Sequence, residues 1–176
     1  MKNNIYVQDN FFDKEFFKQL KSEVVTLQFN SRYNDIDQSE DELAKHNDQQ
    51  RNWHHYPLEN NARVVQEVIK KCTHYFHLQN IKSIQSTYLL SFPNTPPIPH
   101  TDDATEHNCL IYLVGDKLIN NGTGFYEKEK ENLTLHTHIG FKENRAIFFD
   151  STLYHSPLLF AGNSSPRYAM ANWIGV

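Results

Sequence analysis

The order in which hydrophobic periodicity changes along this chain limits its fold more than any single motif does. Phe16, Phe17, Leu20, Val24 and Leu27 recur at helical spacing, which predicts a helix over about 13–26 with Asp13 where an N-cap belongs. Val64, Val65, Val68, Ile69 and Cys72 form a second stripe and predict a helix over about 59–76. Beyond it only short extended segments follow, at 81–92, 109–114, 124–126, 133–138, 145–150, 155–160 and 168–174. Turn-rich stretches separate them, including Pro93-Asn94-Thr95-Pro96-Pro97 and Asn120-Asn121-Gly122. Residues 5–12 suggest a short strand or extended entry, and the polar, acid-rich stretch 30–52 reads as a mobile loop with room for one helical turn near 39–46.

Helices first and many short strands afterwards predict a mainly β protein, a sandwich or jelly roll buttressed by N-terminal helices. The 176 residues suit one domain, with helical support over about 1–78 and a jelly-roll core over about 79–176. An aromatic share of 13%, with 12 Phe and 9 Tyr, agrees with a fold rich in strands.

Charge and cysteine usage exclude some partners. A net charge of −4 without a long basic run argues against a protein that grips a nucleic-acid backbone. Cys72 and Cys109 form no C-x-x-C pair and read as small buried residues in a reducing compartment. The first residues lack the apolar core of a signal peptide, and no apolar run is long enough to span a bilayer, so the expected location is cytoplasmic, away from membranes.

The candidate chemistry begins at Pro99-His100-Thr101-Asp102-Asp103. Residues i and i+2 of an extended segment point to one side, so His100 and Asp102 can converge on one ion, whereas Asp103 points away. The best third ligand is His155, at the mouth of a predicted strand in Leu153-Tyr154-His155-Ser156-Pro157. Two neutral imidazoles and one carboxylate on one face of an octahedron make the site of a non-haem Fe(II) oxygenase. That arrangement leaves three positions open, two for a chelating 2-oxo acid and one for O₂. The far carboxylate of such an acid needs a cation when buried. Arg167, twelve positions beyond His155 and across the turn 161–166, is suited to it, and Tyr88 and Tyr112 are placed to add a hydrogen bond.

From about Ser86 to Trp173 the chain resembles the 2-oxoglutarate/Fe(II) dioxygenase superfamily, particularly its small prolyl-4-hydroxylase-like and phage-type members. The resemblance rests on His100-Thr101-Asp102, Cys109-Leu110-Ile111-Tyr112-Leu113, Gly122-Thr123-Gly124-Phe125-Tyr126 and Asn144-Arg145-Ala146-Ile147-Phe148-Phe149-Asp150, and runs on through His155 and Arg167. It implies a double-stranded β-helix, iron on His100, Asp102 and His155, and the distal carboxylate of 2-oxoglutarate on Arg167. It also implies Tyr112 as a strand tyrosine assisting that arginine and Tyr88 as another near the cosubstrate. The implied activity is a hydroxylase that oxidises an unactivated C–H bond of a small-molecule or peptidyl substrate, consuming O₂ and releasing succinate and CO₂. Some branches place a serine two residues after the arginine, where this chain has Ala169.

Other residues compete for attention. His136 and His138 share a strand face but lack a carboxylate at telling spacing, so they read as surface or pocket-wall residues, and His107 reads as part of the loop before the next strand. Arg145 reads as a turn residue before a buried run, Asp9 as a turn residue, and Trp53-His54-His55-Tyr56 equally as a substrate lid or an aromatic plug. Two other functions share the pattern: a jelly-roll binding module without turnover, and a cupin-like metalloprotein that uses no 2-oxo acid.

Overall fold

The computed structural model describes residues 4–33, 52–92, 98–102, 104–158 and 165–176. Among the described residues, ten strands and two helices follow in the order β1 (Ile5–Asp9), α1 (Lys14–Val24), β2 (Asn30–Tyr33), β3 (Asn52–Leu58), α2 (Arg63–Phe76), β4 (Ser83–Ser91), β5 (His107–Val114), β6 (Gly122–Glu129), β7 (Asn132–Gly140), β8 (Arg145–Asp150), β9 (Tyr154–Leu158) and β10 (Arg167–Gly175). They form a seven-stranded sheet in the order β1-β8-β5-β10-β4-β3-β2 and a three-stranded sheet in the order β7-β6-β9. All the strand pairs are antiparallel. From β4 onward the chain passes repeatedly between the sheets, with β6 and β7 following one another in the small one, and an isolated bridge between His100 and His155 adds His100 beside β9. Two antiparallel sheets connected in this way are consistent with a jelly roll.

The large sheet is covered on both faces, which explains why β5 and β8 read as nearly unbroken apolar runs. Ala146 and Phe148 of β8 face a core shared with the helices, which present Phe17, Leu20 and Val24 from α1 and Val64, Val65, Val68 and Cys72 from α2. The alternate residues Ile147 and Phe149 face the small sheet, in a second core with Tyr112, Phe125, Phe141, Leu153 and Ala169. Period-2 alternation thus divides one strand between two cores.

Several local expectations change. The expected short extended segment over 5–12 is β1, paired with β8, but residues 30–33 and 52–58 also form strands, β2 and β3, which extend the sheet beyond β4. Trp53-His54-His55-Tyr56 lies in β3, where Tyr56 stacks on Tyr88 with centroids 6.4 Å apart. Asp13 stands at the N-cap with extended backbone but makes no capping bond; its carboxylate instead lies 3.2 Å from Lys71 Nζ on α2. Asp9 and Arg145 are ion-paired at 2.7 Å, joining β1 to β8. Asn144, at φ 60°, closes this corner, its amide accepting from Phe12 N and donating to Phe12 O, both at 2.8 Å. The stretch 34–51, which holds most of the expected acidic loop, lies outside the described residues.

Candidate metal centre and anion site

His100 and His155 are held by backbone. His100 N donates to His155 O at 3.0 Å and His155 N donates to His100 O at 2.9 Å, while Asp102 N donates to Ser151 O at 2.9 Å. The ring centroids of the two histidines lie 4.5 Å apart. One ligand atom from each of His100, Asp102 and His155 lies within 4.8 Å of the others, a cluster of metal-ligand dimensions.

The imidazoles are set in one tautomer. His100 Nδ1 lies 2.9 Å from Ile98 O and His155 Nδ1 lies 3.0 Å from Leu153 O. A carbonyl oxygen only accepts, so each Nδ1 must carry the proton, and each Nε2 keeps its lone pair for a ligand. His155 is buried, with Phe149 edge-on at 4.8 Å between centroids. Its Nε2 lies 3.3 Å from Asp102 Oδ2, and Asn108 Nδ2 donates to that same oxygen at 2.8 Å. Burial pushes the Asp102 carboxyl up, but His155 and His100 when each carries a second proton, and a smaller pull from Trp173, outweigh it, holding the group at about 2; a bound cation would stand in for that positive charge once the rings are neutral ligands. Two neutral imidazoles and an ionised carboxylate suit a divalent transition metal and leave further positions for exogenous ligands.

Arg167 is 3% exposed at the start of β10. Its Nη1 donates to Gly122 O and, at 3.3 Å, to Asn121 Oδ1, both neutral acceptors. Nε is buried without a partner, and Arg167 makes no ion pair with a carboxylate among the described residues. Burial therefore pulls its pKa down. The guanidinium lies over Tyr112, 5.5 Å from the ring centroid. Tyr112 OH shares its proton between Thr123 Oγ1 at 2.7 Å and Ile139 O at 3.2 Å. A buried cation with neutral partners and an orphaned N–H is the complement of an anion. The residues present thus fit both a metal and a carboxylate cosubstrate.

Tyr88 is not brought to this site. It pairs in register with Met170, and both belong to the core under the helices, on the opposite face of the sheet from Tyr112 and Ala169. Its hydroxyl is buried without a partner among the described residues, and burial first, then the charges of Glu23 and Tyr56, raises its pKa. His107 begins β5 rather than lying before it, and faces Asp150 at 3.1 Å. His136 faces Glu127 at 3.4 Å in an exposed pair, and His138 Nε2 lies against Gly122. Neither joins the cluster of His100, Asp102 and His155. Asp103 lies outside the described residues.

Sequence reasoning missed Asn108, Asn121, Thr123 and Trp173. Asn108 had a signal: it shares strand parity with Tyr112 and so faces the second sheet. The others act across elements, and no local pattern marks them.

No protein-family model matches the sequence, and no curated protein matches it. The fold has clear counterparts among solved structures. A Pseudomonas putida prolyl-4-hydroxylase aligns over 99% of this chain and 93% of its own, with TM-score 0.61 and 12% identity. HygX from Streptomyces hygroscopicus, solved with nickel and 2-oxoglutarate bound, aligns over 98% of this chain and 83% of its own, with TM-score 0.65 and 10% identity. A Trichoplax adhaerens prolyl hydroxylase, in complex with a hypoxia inducible factor peptide fragment, aligns over 99% and 84%, with TM-score 0.60 and 14% identity. The chain therefore has the fold of the 2-oxoglutarate/Fe(II) oxygenases. No helix among the described residues is long and apolar enough to cross a membrane.

Proposed function

We propose that this chain is an Fe(II)- and 2-oxoglutarate-dependent oxygenase that hydroxylates a C–H bond of a small-molecule or peptidyl substrate. The observation that carries this reading is Arg167, a buried guanidinium without a carboxylate partner among the described residues, in a fold that also assembles His100, Asp102 and His155. A metal cluster alone would fit many metalloproteins, and the unpaired arginine adds the need for an anionic cosubstrate.

In this reading the Nε2 atoms of His100 and His155 and the Asp102 carboxylate hold Fe(II). Arg167 takes the distal carboxylate of 2-oxoglutarate, steadied by Gly122 O, Asn121 and the face of Tyr112. Bound iron and 2-oxoglutarate supply the oxidising chemistry with O₂, yielding succinate and CO₂. The chain's own contribution is orientation. Carbonyls of Ile98 and Leu153 keep the imidazole protons off the metal side, and Phe149 packs against His155.

The test is an anaerobic titration with Fe(II) and then 2-oxoglutarate, followed by admission of O₂. A visible metal-to-ligand charge-transfer band that needs both additions, and then succinate on aeration, is the expected result. No band at saturating Fe(II) and 2-oxoglutarate would overturn the reading and favour a metalloprotein that uses no 2-oxo acid, or a binding module.

A further inference from the structure

The proposed chemistry leaves Asn108 without a role, yet its side chain touches the Asp102 carboxylate directly. Asn108 is 4% exposed on β5, and its Nδ2 donates to Asp102 Oδ2 at 2.8 Å. The amide can stand only one way round: an ionised carboxylate accepts and never donates, so the NH₂ group must face it. At the other end of the amide, Asn108 Oδ1 is a buried oxygen without a partner among the described residues. Leaving a buried acceptor unsatisfied is unfavourable, and an apolar residue of the same volume would avoid it. Asn108 faces Phe149 on β8 and Trp173 on β10 in the strand register, so its surroundings would accept such a residue. What an apolar residue would not provide is the bond to Asp102.

We infer that Asn108 is a positioning residue for the metal-binding carboxylate; the inference rests on the function proposed above. With Nδ2 on Oδ2, the Asp102 carboxylate is hindered from swinging about its Cβ–Cγ bond. It keeps one orientation toward His155, whose Nε2 lies 3.3 Å from that oxygen. Backbone pairing fixes where Asp102 begins, through Asp102 N on Ser151 O, and Asn108 fixes where its side chain ends. Outer contacts of this kind hold a ligand in its binding geometry before the ion arrives.

The test compares the full chain with Asn108→Leu, which keeps the branched outline and removes the donor, and with Asn108→Ala. Mn(II) binding is measured by calorimetry, and the electron paramagnetic resonance line shape of bound Mn(II) is recorded at saturation. Weaker Mn(II) binding by about tenfold to a hundredfold in both variants is expected, with an altered line shape. The metal-free melting temperature of Asn108→Leu reports the packing change and the lost bond to Asp102 apart from the ion. Unchanged affinity and line shape in Asn108→Leu would overturn the inference, as would a lowered metal-free melting temperature with unchanged affinity. If the parent chain itself binds no Mn(II), the failure lies with the proposed metal centre.

Discussion

His100 and His155 exchange both of their backbone hydrogen bonds, so two residues 55 positions apart meet as a single rung between strand-like segments. The rung depends on main-chain atoms and not on the imidazoles. His155→Ala should therefore leave the far-ultraviolet circular dichroism spectrum intact. Metal affinity should fall by more than the tenfold to about a hundredfold expected of an outer contact, and succinate formation should be lost with it. Full activity in the folded variant would remove His155 from the ligand set.

Arg167 offers a test in which stability and binding move apart. Its guanidinium is buried without an ion-pair partner among the described residues, so Arg167→Met should leave the ligand-free melting temperature unchanged or raised. The half-saturating 2-oxoglutarate concentration should rise by about 30-fold or more, equivalent to at least about 2 kcal/mol for one half of a buried charge pair. An unchanged requirement would refute its role.

The two buried tyrosines should respond differently to loss of the hydroxyl. Tyr88 OH has no partner among the described residues, so Tyr88→Phe should change stability little and leave the 2-oxoglutarate requirement alone. Tyr112 OH serves Thr123 and Ile139, so Tyr112→Phe should cost about 1–2 kcal/mol and raise the 2-oxoglutarate requirement through Arg167. Urea midpoints and cosubstrate titrations on both variants check this.

Asp9 governs part of the acid stability. A hydrogen bond from Arg145 is the largest influence on its carboxyl, partly opposed by burial and assisted by Lys142, and holds it at about 2 against an ordinary 3.8. A carboxyl with a depressed folded-state pKa stabilises the fold above about pH 4, and that contribution is lost as pH falls through about 2. Asp9→Asn should be less stable at neutral pH by about 1 kcal/mol or less, since solvent screens a partly exposed pair. Urea midpoints of the two proteins should converge below pH 2.

Gly122 is required by close approach. A Cβ there would collide with the Ile139 carbonyl and come within 2.6 Å of His138 Nε2, and the Gly122 carbonyl also accepts from Arg167. Gly122→Ala should destabilise by about 1–3 kcal/mol and raise the 2-oxoglutarate requirement as well. Thermal melts with and without cosubstrate separate the two effects.

The sequence alone determined the features that depend on near neighbours. Period-3.6 stripes at Phe17, Leu20 and Val24 and at Val64, Val65 and Val68 marked the helices, and apolar runs such as 145–150 marked the strands. The spacing of His100 and Asp102 also lay in the sequence, because alternation is a local property of extended chain. Pairing in space was a different matter. Which face Tyr88 and Tyr112 occupy, how β1 to β3 widen the large sheet, and which residues surround Arg167 were settled by long-range register. Both tyrosines are buried aromatic strand residues, and only the sheet order separates the core under the helices from the space between the sheets. Asn108 belongs with them: its residue type says little until the fold lays its amide on Asp102.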